Sequence, residues 1–279
     1  MHFLIIFLAL IVAYTIRCRW TQSVEQWNER WQKTLFFFLF PPLLIFMTTI
    51  ALLFMGPQGT MGGLQTGCYG YVIAFAALVF FAIMCIKQGW QGWRSIKSTR
   101  DCPQINVAGK QVRLLNTGAL FAGQIGFLKP ELVLSSGLLQ TLSETHLETV
   151  LAHEEGHYYY RDTFWFFWLG WMRECTIWLP NTEALWQELL TLRELRADAR
   201  AALYVDPLLL AESLLMVVSS PPVASSVLCA ALGSTNANRL EERVEALLSQ
   251  PQPTAKLHFI SWKWLVWTFV PLVSVAFHS

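Results

Sequence analysis

Leu151-Ala152-His153-Glu154-Glu155-Gly156-His157-Tyr158-Tyr159-Tyr160-Arg161 is the stretch from which the rest of the chain is read. It contains H-E-x-x-H, in His153, Glu154 and His157. On a helix, a spacing of four residues turns the chain by about 400°, so both imidazoles leave the same face roughly 6 Å apart. Imidazoles rooted at that spacing can lean together until one nitrogen of each binds the same tetrahedral Zn²⁺. Glu154 falls about 100° further round, beside such an ion and not on it. A carboxylate placed there can take a proton from a water on the metal.

A catalytic zinc site takes three protein ligands, and the third is often a carboxylate from a second helix. Residues 183–204, EALWQELLTLRELRADARAALY, hold neither Pro nor Gly and carry a strong helical pattern. Glu194 within them would complete a His₂Glu site. Asp198 lies one turn on, where it can accept the free imidazole N–H of a ligand histidine and fix its tautomer. Taken alone these two acids read as an exposed charged face. Coupled to His153 and His157 they read as a metal site.

H-E-x-x-H followed about 36 residues later by E-x-x-A-D resembles the membrane gluzincins, namely the HtpX-type and CAAX prenyl protease-type metallopeptidases and the BlaR/MecR-type peptidases. The nearer resemblance is to BlaR/MecR. It rests on Gly126-x-x-x-Pro130 leading into Glu131-Leu132-Val133-Leu134, on Gly137-Leu138-Leu139, Leu142-Ser143 and Arg161-Asp162, and on Glu241 to Leu248. It covers residues 111–250, and it implies a zinc peptidase acting on protein substrates. Ala197 stands where BlaR/MecR relatives often have Cys, which is the HtpX-like form. Those sensors also carry a β-lactam-binding domain after their last span. This sequence ends at Ser279, so the sensing function is not carried over.

Composition agrees with a membrane setting. The 279 residues are 54% hydrophobic and 14% charged, with 19 Phe and 13 Trp, against about 25% charged residues in ordinary soluble domains. A net charge of +1 offers no basic patch for nucleic acid. The six cysteines form no C-x-x-C pair and read as scattered thiols. Apolar runs at 3–16, 34–55 and 70–86 read as three spans, with Pro41-Pro42 kinking the second and freeing carbonyls that neighbours must satisfy. Arg17, Arg19, Arg30 and Lys33 lie between the first two runs. Residues 56–69 hold no charge, and Lys87, Arg94, Lys97 and Arg100 follow the third run. By the positive-inside rule the chain from residue 87 onward faces the cytoplasm of a plasma (inner) membrane.

Short runs at 112–115 and 131–134 read as strands, and Ala119 to Gln124 is the expected edge strand beside the metal. Ser143 is the expected N-cap of the helix carrying His153. His146 reads as a partly solvated histidine and not a further ligand. Tyr158, Tyr159, Tyr160, Arg239 and Arg243 are candidate oxyanion donors, and the helix 239–248 reads as a packing element. Residues 163–179 are apolar yet interrupted by Arg173 and Glu174, which predicts a hairpin turning at Pro180-Asn181 and dipping into the membrane. Ser219 to Ser226 reads as a linker and Gln250 to Pro253 as a tether.

The expected architecture is a mainly α multi-pass membrane protein with a small α+β zincin domain carrying the HExxH and ExxxD helices. Its expected parts are a membrane domain at 1–100, a cytoplasmic peptidase domain at 101–258 and a transmembrane helix at 259–279. The expected function is that of a zinc metalloendopeptidase using Glu154 as its base, cleaving a repressor-like protein. The rivals are quality control of membrane proteins in the manner of HtpX, and a non-proteolytic membrane protein with structural zinc. A structural site closes its fourth position and has no use for Glu154.

Overall fold

The computed structural model describes residues 2–22, 27–57, 60–61, 64–65, 68–218, 237–249 and 263–277. The expected linker at Ser219 to Ser226 and tether at Gln250 to Pro253 lie outside them. The chain divides into two compact units: residues 1–87, 169–189 and 255–279 in the first, and 88–168 and 190–254 in the second.

In the first unit, α1 (His2–Cys18) packs on α2 (Trp27–Met55). A two-strand hairpin, β1 (Thr60–Met61) with β2 (Leu64–Gln65), leads to α3 (Cys68–Arg100). Helices α2 and α3 are each long and apolar enough to cross a membrane, and they contain the spans expected at 34–55 and 70–86. The expected first span is a helix of only 17 residues. Pro42 has no N–H, so in a helix the carbonyl of Phe38, four residues back, loses its donor. Arg17 supplies one, with Nη2 3.1 Å from the Phe38 oxygen, and its Nη1 lies 3.2 Å from Thr182 Oγ1. A kink expected to free a carbonyl is thus matched by a buried guanidinium on the neighbouring helix.

The segment expected to form one C-terminal transmembrane helix is broken. Among its described residues it forms α10 (Lys263–Thr268), α11 (Val270–Val273) and a 3₁₀ turn over Ser274–Phe277. Pro271 cannot donate to the carbonyl four residues before it. The chain tightens there into i→i+3 bonds, with Phe269 N on Val266 O at 3.1 Å and Leu272 N on Phe269 O at 2.9 Å.

The second unit is built on a four-stranded sheet, ordered β3 (Gln104–Val107), β4 (Lys110–Leu115), β6 (Glu131–Ser135) and β5 (Ala122–Ile125). β4 and β6 run parallel and the other pairs are antiparallel. The pleat sorts β6 between two faces. Leu132 and Leu134 enter a core with Val112, Leu138, Val150 and Leu151, whereas Val133 joins Phe121 and Ile125 on the other side with Ile96 of α3. The sheet therefore sits between the last turns of α3 and the helix that carries His153. The short helix α4 (Ser136–Thr141) follows β6. Ser135 caps it, accepting from Leu138 N at 3.1 Å and from Phe121 N at 3.0 Å. The edge strand begins at Ala122 and ends at Ile125, three residues later than expected at its start.

Candidate metal centre

Helix α5 (Glu144–Tyr159) starts where Ser143 caps it, its Oγ accepting from His146 N at 3.3 Å. Val150 and Leu151 bind α5 to the sheet, which turns His153, Glu154 and His157 toward α7 (Thr182–Ala201). The hairpin joining them is formed by α6 (Asp162–Cys175) and α7, with a turn that includes Asn181 at φ +57°. Arg173, expected to face protein or water, pairs with Glu183 at 2.7 Å. Gly156 sets the approach of α5 to α7. A Cβ added there would lie 3.1 Å from both Cα and the carbonyl oxygen of Ala197. Two small residues at this crossing allow the third ligand candidate to reach the first two.

The structure brings His153, His157 and Glu194 together, with one ligand atom of each within 4.8 Å of the others. The two Nε2 atoms are 3.1 Å apart. Glu194 Oε2 lies 3.4 Å from Nε2 of His153 and 3.7 Å from Nε2 of His157. A tetrahedron with metal bonds of about 2.0–2.1 Å has edges of about 3.4 Å, so the triangle has the right size. The opposite ring nitrogens are also committed. His153 Nδ1 is 2.7 Å from Asp198 Oδ1, and His157 Nδ1 is 2.7 Å from Asp162 Oδ2. With the Nδ1 of each ring beside a carboxylate, the two Nε2 atoms are left to converge on one point, an arrangement that suits a cation. The residues present fit Zn²⁺.

Asp198 lies where the sequence placed it, one turn beyond Glu194. Two partners were not foreseen in these roles. Asp162 lies beside His157 and is itself held by Arg196. Arg243, on α9 (Ala237–Leu248), grips Asp198 through Nε–Oδ2 at 2.6 Å and Nη2–Oδ1 at 2.9 Å. Its Nη1 is also 3.4 Å from Glu194 Oε2. Arg193 fixes the other oxygen of Glu194, with Nη2–Oε1 at 2.7 Å. Arg243 therefore bridges two carboxylates of the centre, a role beyond packing. His146 stands apart, its Nδ1 2.7 Å from Ser143 Oγ and its Nε2 3.3 Å from Glu212. Two of the three tyrosines are engaged by cations: Arg196 lies 4.2 Å over the Tyr160 ring and Arg200 3.4 Å over Tyr159.

Burial opposes charge on His153, His157, Glu194 and Asp198, and the pairing overrides it. For His153, burial lowers the pKa, but Asp198 and Glu194 raise it above the ordinary value. For His157, burial likewise lowers it, and Glu194 with Asp162 lifts it to about 10. Burial raises Glu194, yet Arg193, His157 and Arg243 hold its carboxyl well below the usual range. Asp198 is held low against burial by Arg243 and His153. The acidic partners thus push both imidazoles toward the charged form. Glu154 is buried, 6% exposed, and its Oε2 has no hydrogen-bond partner among the described residues. A buried acceptor beside the triangle is available to a proton.

β5 forms an edge of the sheet and lies against α5, where Gln124 Nε2 donates to the Glu154 carbonyl at 3.3 Å. Its free side faces no other strand among the described residues, so it can pair with an extended peptide.

If Asp198 orients His153, Asp198→Asn weakens zinc about 10- to 100-fold while the fold is kept. Competition with a chelator reads this directly. Unchanged affinity would show that the carboxylate does not position the ring.

Residues 99–204 match the family model of peptidase family M48, a match that supports the M48 metallopeptidase family. The matched segment contains His153, Glu154, His157, Asp162, Glu194 and Asp198, and Arg243 lies beyond it. No curated protein and no solved structure matches the chain.

Proposed function

We propose that this chain is a membrane-bound, zinc-dependent metalloendopeptidase whose site faces the cytoplasm. The observation that carries the reading is the division of labour at the centre. Both histidines have their Nδ1 atoms at carboxylates and their Nε2 atoms turned to Glu194, while Glu154 keeps a buried oxygen without a hydrogen-bond partner among the described residues. His153, His157 and Glu194 would hold the metal. When bound, Zn²⁺ supplies Lewis acidity, acidifying water and polarising a peptide carbonyl. Glu154 Oε2 accepts the proton of the attacking water and returns it to the leaving amine. Asp198 and Asp162 keep the imidazoles in the ligating tautomer, and Arg243 and Arg193 keep Glu194 ionised. β5 offers backbone N–H and C=O groups to an extended substrate and aligns its scissile bond beside Glu154.

The resemblance of residues 126–139 and 241–248 to BlaR/MecR-type peptidases favours regulated cleavage of a cytoplasmic repressor-like protein. A gene for a winged-helix repressor beside this one would favour it further, and its absence would favour quality control of membrane proteins.

Orientation is tested by fusion. A reporter active only outside the cytoplasm should be active at Gly62 and silent after Arg100, because the cationic residues flank the first and third apolar runs. The reverse pattern would place the metal centre outside.

A further inference from the structure

One exposed aromatic surface of the second unit has no part in the metal centre. It is formed by the turn at residues 126–130, between β5 and β6, and by the start of α6. Gly126 adopts φ +142°, and a Cβ there would lie 2.8 Å from Pro130 Cα, so the turn closes tightly on itself. The Phe127 ring packs on Phe164 at 5.0 Å, Phe167 at 4.9 Å and Trp168 at 6.3 Å. This arrangement holds Leu128 out at the tip, 77% exposed, next to exposed Lys129. Trp165 is 51% exposed on the same helix. A turn in water would present polar residues at its tip. An aliphatic tip fixed by three aromatic rings is built to be covered.

Its position along the chain's apolar segment identifies what covers it. Gln88 Nε2 donates to the Phe167 carbonyl at 2.6 Å. Gln88 directly follows Lys87, the first charge after the uncharged part of α3. Phe167, and Phe127 packed on it, are therefore level with the point where α3 stops being apolar. Just beyond, Trp90 and Trp93 stack at 5.1 Å and are 57% and 51% exposed, with Lys97 5.5 Å over Trp93. Tryptophan followed by cations at the end of an apolar helix marks the boundary between acyl chains and headgroups. Lys87, Arg94, Lys97 and Arg100, with Lys129 on the turn, complement anionic headgroups.

We propose that the 126–130 turn, with Trp165 and Trp168, is an anchor seated in the headgroup region of the bilayer that α3 enters, with Leu128 inserted among the acyl-chain ends. β5 ends at Ile125, directly before the turn, so the anchor holds the edge strand at the lipid surface. Resting on the peptidase reading, and not on the choice of a repressor as substrate, this favours protein segments presented within a few residues of a membrane.

The test uses the full chain in phosphatidylglycerol-containing nanodiscs, with a diazirine amino acid placed at Leu128 or, as control, at exposed Gln111 of β4. Lipid adducts at position 128 and none at 111 are expected by mass spectrometry. Adducts only to protein, or equal lipid labelling at both positions, would overturn the anchor. Leu128→Glu should slow cleavage of a lipid-tethered peptide several-fold and leave the same peptide in solution unaffected, whereas equal slowing of both would overturn the assignment of substrates. Labelling does not need hydrolysis. Lipid adducts at 128 in a protein that cleaves neither peptide would remove the peptidase reading and leave the anchor standing.

Discussion

Glu154→Gln should lower kcat by about 10²- to 10⁴-fold with little change in KM or zinc content. The amide keeps the size of the carboxylate and its place in a buried site, so the fold and the His153–His157–Glu194 triangle are retained. It cannot accept a proton, and Oε2 is the buried acceptor that has no other hydrogen-bond commitment among the described residues. The loss therefore falls on the transition state and not on substrate binding. The measurement is cleavage of a peptide or a membrane protein by purified variants carrying matched zinc. A Glu154→Gln protein that cleaves as fast as the unaltered one would end the hydrolase reading and leave structural zinc in its place.

What the sequence disclosed about this centre is what local geometry governs. The i, i+4 histidines lie on one helix, so their convergence follows from the helical repeat alone, and the same argument places Asp198 over Glu194. Resemblance to zinc peptidases, not geometry, brought the two helices together in advance. The contact that achieves it, Gly156 against Ala197, is a close approach no periodicity announces. The sequence alone gives Asp162 no role, because its placement depends on a turn. Arg161 takes φ +53°, and the chain reverses so that the first residue of α6 returns to His157. Arg243 did carry a signal. Leu240, Arg243, Val244 and Leu247 share one stripe of an amphipathic helix, and a guanidinium on an apolar stripe is either misplaced or paired. The structure shows it paired. The strands at 112–115 and 131–134 were legible from their β-branched and aliphatic runs, but the start of the edge strand was not. Phe121 is held instead by the Ser135 side chain, a long-range bond. At the C-terminus an apolar run suggested one helix, and Pro271 outweighed the composition.

Zinc affinity should fall steeply as pH is lowered, by about tenfold per unit below about pH 10 from His157 alone. The cause is competition for Nε2. In the metal-free centre His157 is raised to about 10, and a protonated imidazole is no ligand. Binding at pH 7 must therefore expel that proton, and between pH 9 and pH 6 the loss reaches about 10³-fold. Calorimetry in buffers of different ionisation enthalpy should record proton release at pH 7, and binding with no proton released would show that the imidazoles are not the ligands. Stability carries the opposite sign in the metal-free protein. His157 has a folded pKa above its unfolded value of 6.5, so its contribution is fully present below pH 6.5 and is lost as pH rises through about 10. The melting temperature of chelator-treated protein should fall across that window, while the extra stability conferred by zinc grows. Glu194→Ala separates the two effects, because it removes both a ligand and the charge that raises His157. That variant should lose most of its zinc at pH 7 and most of the downward slope in metal-free stability. If it retained full zinc occupancy, the third ligand would have to be sought elsewhere, and Arg193 and Arg243 would then surround a carboxylate with no metal to bind.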